Sequence, residues 1–219
     1  MRQTVFIILL VATLYFACKA HATRIEVLVN SSNEVPLSNI AVYLEPVDKT
    51  DMPVKAAPKD HSAIMDQIDK QFKPHILVVQ KSAWVNFPNS DSIKHHVYSF
   101  SDAKSFELKL YSGGSASSIQ FEQTGEVALG CNIHDWMLGY IYVVDTPWFG
   151  KTDKQGKVTL NVPAGEYQLK FWSPLLKQAD KGFSKLVQIQ QDTTTTLILK
   201  DELQPALIDY EDTDELTGY

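Results

Sequence analysis

Apolar and polar residues alternate along most of the chain from Arg24 onward. RIEVLVN and NIAVYLEPV, separated by the turn-rich SSNEVPLS, read as two half-buried strands joined by a loop, since successive side chains of a strand face opposite ways. The middle continues in the same manner: ILVVQ, WVNF, HHVYSF, FELKLY, IQFE, EVALG and YIYVVD are short β-branched and aromatic runs bounded by PNSD, SDAK, SGGSASS and QTG turn clusters. After Pro147 come GKTDKQGKVTLNV, PAGEYQLKFW and KLVQIQQDTTTTLILK, again strands with Asp/Gly-type turns between them. No stretch from 70 to 200 sustains a helical period, so the predicted fold class is all-β. Only APKDHSAIMDQIDKQF is compatible with a short helix.

Composition changes the picture mainly at the two ends. With 44% hydrophobic and 21% charged residues, the 219-residue chain has the usage of a folded protein. Its 20 Lys and Arg against 26 Asp and Glu leave no general basic surface for nucleic acid. Seven of those acids lie in residues 201–219, which hold no Lys or Arg, so the acidity belongs to a tail, expected to be disordered. At the other end, Arg2 precedes an apolar run from Val5 to Ala17, and Ala20-His21-Ala22 carries the small residues that signal peptidase requires. Residues 1–22 therefore read as a cleaved secretory peptide that delivers the protein to the periplasm. The apolar run is too short for the roughly 20 residues of a membrane span. Lipid attachment at Cys18 is the weaker alternative, because Tyr15 and Phe16 precede it. Cleavage removes Cys18 and leaves Cys131 as a lone cysteine in an oxidising compartment, which calls for intermolecular pairing or a ligand on the sulfur.

That cysteine sits in GEVALGCNIHDWMLGYIYVV, where Cys131, His134 and Met137 are spaced three apart between two strand-like runs. Thiolate, imidazole and thioether form a soft donor set, and two His with a Cys and a long axial Met describe a blue-copper electron-transfer site. A second histidine must come from elsewhere. WVNFPNSDSIKHHVYSF supplies two candidates, His95 and His96, after an NSD turn. Period-2 geometry puts His95, Val97 and Ser99 on one face and His96, Tyr98 and Phe100 on the other, favouring His95 with His96 as the alternative. A buried free cysteine with surface histidines is the bland reading of the same residues. Zinc fits less well, because Met is a poor zinc ligand. His61 and His75 read as solvated or edge histidines, and Trp148 and Trp172 as packing residues.

These motifs, over roughly residues 65–145, resemble the cupredoxins of the plastocyanin and amicyanin kind, and "HHVYSFS" with "LGCNIHDWMLGYIYVVDTP" looks most like the methylamine-utilisation accessory cupredoxins. The resemblance implies one type 1 copper per chain, with His95, Cys131, His134 and Met137 as metal ligands, and a two-residue gap between His134 and Met137 like that of the short amicyanin loop. His96 stands where the family usually has an Asn that ties the ligand strand to the cysteine loop, and Ile133 where Pro is common. The resemblance places His134 at the edge of the site, and Ile133, Trp136 and Leu138, its neighbours in sequence, are expected to supply a small apolar docking patch for a redox partner. The flanking pieces, with "PLSNIAVYL", "TDKQGKVTLNVPAGEYQL" and the final TLIL, resemble the carboxypeptidase regulatory-like β-sandwich. The implied organisation is a Greek-key cupredoxin of residues 60–145 inserted in a second small sandwich made from 24–58 and 146–200. Loop closure costs grow only logarithmically with length, so an insertion of this size is tolerable; two sequential domains are the alternative.

A closed Cys, two-His, Met site leaves no obvious position for substrate, and no catalytic triad or carboxylate pair can be argued from spacing. The chain is therefore read as a non-enzymatic periplasmic blue-copper protein. It serves as a one-electron carrier or redox accessory protein, with amine oxidation as the pathway the resemblance suggests. The alternative is a protein that holds or delivers copper. The redox partner is unspecified, and neither nucleic acid nor a membrane span is implied.

Overall fold

A computed structural model describes residues 22–51, 62–114, 118–177, 181–200 and 202–205. Residues 1–21 of the expected export peptide, most of the acidic tail and His61 lie outside the described residues. The protein is all-β, as the alternation predicts. Its strands are β1 (Thr23–Asn30), β2 (Ala41–Pro46), β3 (Ala63–Ile64), β4 (Asp66–Ile68), β5 (Gln71–Lys73), β6 (Ile76–Gln80), β7 (Ala83–Asn86), β8 (His95–Ser101) and β9 (Lys104–Tyr111) in the first half. The second half adds β10 (Ile119–Phe121), β11 (Gly125–Leu129), β12 (Gly139–Val144), β13 (Phe149–Lys151), β14 (Lys157–Val162), β15 (Gly165–Trp172), β16 (Ser184–Ile189) and β17 (Thr193–Ile198).

The first two strands pair with the last five. One sheet runs β14-β1-β17, with β1 antiparallel to β14 and parallel to β17, and a second runs β13-β2-β15-β16. Alternation does what it should here: Ile25, Val27 and Val29 of β1, Val158, Leu160 and Val162 of β14, and Tyr167, Leu169 and Phe171 of β15 turn into one shared apolar cluster. Among the described residues, that cluster and the partly buried residues packed on it come from positions 25–44 and 148–203.

Strands β3 to β12 build a separate apolar cluster drawn from positions 63–143 and containing Met65, Phe72, Val85, Phe87, Val97, Phe121, Val127, Leu129 and Ile141. Around it lie the sheets β10-β7-β3 and β11-β12-β6 and the hairpins β4-β5 and β8-β9. The stretch compatible with a short helix is partly outside the described residues, and its remainder is strand. Ala63, Met65 and Gln67 are buried and alternate with more exposed neighbours, a period of two, and Asp69 and Lys70 adopt positive φ (55° and 60°) in the β4–β5 turn, which a helix cannot contain.

Aromatic side chains join the two sets of strands. Trp172 stacks on Tyr142 with ring centroids 4.4 Å apart and planes 8° from parallel, and the hydroxyls of Tyr142 and Tyr43 lie 3.2 Å apart. Burial pushes both tyrosines' pKa values up, so these hydroxyls stay neutral. Where the chain leaves the middle strands, buried Thr146 donates to Leu44 O at 2.7 Å and accepts from the Trp148 amide. Trp148 packs against the first cluster. Among the described residues no helix is long and apolar enough to cross a membrane.

Candidate metal centre

Strands β11 and β12 pair antiparallel up to Leu129 opposite Gly139, so residues 130–138 form a loop closed by a paired neck. Both ends of that loop need glycine because rings lie against them. A Cβ on Gly130 would sit 2.6 Å from the Tyr98 ring, and one on Gly139 would sit 2.7 Å from Cβ of Phe72. Gly130 also exchanges two backbone hydrogen bonds of 3.0 Å with Tyr98, which fastens the loop to β8, the strand that starts at His95. Within the loop the Met137 amide donates to His134 O at 2.9 Å and turns the chain back, so that Met137 points into the apolar cluster beside Cys131.

This arrangement brings His95, Cys131 and His134 together: one potential ligand atom from each lies within 4.8 Å of the others, and all three side chains are buried. Cys131 Sγ is 3.8 Å from His95 Nδ1 and accepts the Ile133 amide at 3.5 Å. The His95 and His134 rings have centroids 5.1 Å apart. Nδ1 of His134 is buried and has no hydrogen-bond partner among the described residues, an arrangement that normally costs free energy. Burial, followed by the neighbouring His95, holds the His134 pKa below the ordinary histidine value, which favours the neutral ring that a metal requires. Met137 is buried in the same apolar cluster as Cys131. Trp136, 52% exposed, lies 5.1 Å from the His134 ring, and Ile133 is also exposed.

His95, Val97 and Ser99 are buried, but so is His96, and the pairing with β9 shifts register between His95 and Val97; further along the strand Phe100 is exposed. His96 neither joins the cluster nor ties the strand to the loop. Its Nε2 meets Glu107 Oε1 at 2.8 Å, its Nδ1 has no partner among the described residues, and the Tyr98–Gly130 backbone pair makes the tie instead. His75, expected to be a solvated or edge histidine, bonds through Nδ1 to Leu138 O at 3.2 Å while its carbonyl accepts the Tyr140 amide, so it anchors the exit of the loop.

One residue at the site escaped the sequence reading. Asp91 was part of a turn, but its Oδ2 lies 2.7 Å from His95 Nε2. Burial opposes its charge, yet the Lys70 amide, the His95 ring and the Asp69 amide together hold its pKa below the usual aspartate value. The turn that presents it is built from buried polar groups. Asn89 donates to Ile93 O and Tyr111 O, Gln67 donates to Pro88 O and to the Tyr111 hydroxyl, and Tyr111 donates to Phe87 O. Burial pushes the Tyr111 hydroxyl up to about 12, so it remains a neutral donor. The carboxylate four residues before the histidine was the available signal, but its significance depends on the folded turn.

No family model and no curated protein matches this chain. Among solved structures it is similar to a Cu-containing nitrite reductase (NirK) from Thermus scotoductus SA-01, with 21% identity and a TM-score of 0.36 over 46% of this chain and 25% of that one. The chain thus spans about a quarter of the reductase's length. It is also similar to the reduced state of a proline-to-phenylalanine variant of amicyanin (20% identity, TM-score 0.36, 47% of this chain and 99% of that one). The oxidised state of a proline-to-alanine amicyanin variant gives 20% identity and a TM-score of 0.36, over 47% of this chain and 98% of that one.

Proposed function

We propose that this chain is a periplasmic type 1 copper protein that carries single electrons or serves a redox pathway as an accessory. The observation that carries the reading is the buried convergence of Cys131 Sγ with His95 and His134, the latter's Nδ1 having no hydrogen-bond partner among the described residues. The donor set fits copper: a thiolate, two imidazoles and the thioether of Met137 form a soft group, and a sulfur held by an amide N–H suits a thiolate–copper bond. Copper bound there would supply one-electron exchange. His95, Cys131, His134 and the thioether of Met137 would hold it, and the surrounding apolar cluster would keep water away. Ile133 and Trp136, exposed beside His134, would offer an apolar contact for a redox partner.

The same reading takes residues 60–145 as a cupredoxin nested in a carboxypeptidase regulatory-like sandwich, supported by the two separate apolar clusters. It places export in the peptide of residues 1–22. A role in amine oxidation rests on the resemblance of CNIHDWM and HHVYSF to the methylamine-utilisation accessory cupredoxins. The test is the visible spectrum after addition of Cu(II). One equivalent should give an intense thiolate-to-metal band that vanishes in Cys131→Ser, because a serine oxygen cannot replace the polarisable sulfur. Retention of the band in that variant would refute the ligand assignment.

A further inference from the structure

We propose that Asp91 is the positioning residue of the metal centre: its carboxylate fixes His95 as the Nε2–H tautomer, turns Nδ1 toward Cys131, and thereby favours the oxidised metal ion. The proposal rests on the copper reading above and adds a residue that the ligand set does not contain.

The geometry leaves little freedom. Asp91 Oδ1 accepts the Asp69 amide at 2.7 Å, and Oδ2 accepts the Lys70 amide at 2.9 Å while lying 2.7 Å from His95 Nε2. Amides only donate, so both carboxylate oxygens act as acceptors, and the ring nitrogen facing them carries the hydrogen. The opposite nitrogen, Nδ1, then presents its lone pair 3.8 Å from Cys131 Sγ. Asp69 and Lys70 direct both amides at one carboxylate because they occupy the positive-φ positions of the tight β4–β5 turn. A further bond, from the Asp91 amide to Asn89 Oδ1 at 3.0 Å, sets the height of the side chain. His95 is fully buried, so no water competes for Nε2.

A carboxylate on the far nitrogen makes an imidazole a stronger donor, and a stronger, negatively supported donor favours the more highly charged ion. Asp91→Asn keeps the shape and removes the charge. It should weaken Cu(II) binding by about 10- to 100-fold, the usual effect of losing such a partner, and Cu(I) binding less. If Cu(II) binding falls tenfold further than Cu(I) binding, the reduction potential rises by about 59 mV.

The experiment has two arms on the full exported chain. In the metal-free protein, NMR of the ring nitrogens should find His95 as the Nε2–H tautomer. An Nδ1–H ring or a doubly protonated one would overturn the proposal without any variant being made. In the copper-loaded protein, chelator competition and redox titration of Asp91→Asn and Asp91→Glu should show the potential raised in the first and partly restored in the second. An unchanged potential in Asp91→Asn, even with lowered unfolding stability, would reduce Asp91 to a structural role and refute the proposal. A wild-type protein that takes up no copper would refute the copper reading, and the tautomer would still decide whether Asp91 orients His95.

Discussion

Replacing Gly130 by alanine tests how the metal loop is fastened to the strand that carries His95. The new Cβ would lie 2.6 Å from Cζ and 2.7 Å from the hydroxyl of Tyr98, where ordinary contact begins at 3.4 Å. Gly130 is outside the left-handed region of φ, so backbone strain is not the cause and the overlap alone sets the cost. Two responses compete. The tip of the Tyr98 ring can swing outward, losing its packing between the rings of His96 (5.8 Å) and Phe100 (5.2 Å). Alternatively, the two 3.0 Å backbone bonds between Tyr98 and Gly130 lengthen, each worth about 0.5–1.5 kcal/mol. Overpacking of this kind costs about 1–3 kcal/mol, while the smaller unfolded-state entropy of alanine offsets about 0.4–1 kcal/mol of it. The difference lies between about 0 and 2.6 kcal/mol, so destabilisation wins, with a central value of about 1 kcal/mol. Urea unfolding of metal-free Gly130→Ala, Tyr98→Ala and the double variant measures it. Without the ring the Gly130→Ala cost should fall below about 0.5 kcal/mol, a coupling well outside the usual error of additivity. An equal cost in both backgrounds would refute the contact, and no cost in the native background would refute the whole argument.

The remaining predictions concern ligands and architecture. His95→Ala should abolish the thiolate-to-copper band and His96→Ala should keep it, as read by visible absorption; the reverse would move the ligand to the outer face of β8. Met137→Gln should retain copper and lower the reduction potential, since a harder donor in place of the thioether favours the oxidised ion, and an unchanged potential in redox titration would remove Met137 from the site. Replacing residues 60–145 by a short Gly/Ser linker should leave a β domain that unfolds cooperatively in calorimetry, because its apolar cluster takes no residue from the replaced segment among those described; an unfolded or aggregated product would favour sequential domains.

Strands β1, β14 and β15 were legible because each is buried on one face and so prints a period of two directly on the sequence. Strands β3 to β5 were not. They are two or three residues long, too short to display a period, and their inward positions include Gln67, a polar residue whose buried Nε2 donates to Pro88 O and the Tyr111 hydroxyl. Propensity reads such a residue as exposed, and only the folded chain, which brings Pro88 of the turn at 87–94 and Tyr111 of β9 to it, supplies the partners that reverse this.

The same distinction separates the donors from what tunes them. Cys131, His134 and Met137 lie on one loop, so their spacing alone announces a soft donor set. The groups proposed to tune those candidate donors are set by tertiary structure. Asp91 reaches His95 across a turn that the chain closes locally, but two of the bonds that hold its carboxylate come from the amides of Asp69 and Lys70, more than 20 residues earlier. The Tyr98 ring that requires a glycine beside Cys131 comes from β8, another strand entirely. A substitution at Asp69 or Lys70 that opens the β4–β5 turn should therefore act on the copper potential through Asp91, without touching any ligand. No inspection of the CNIHDWM loop by itself could foresee that effect.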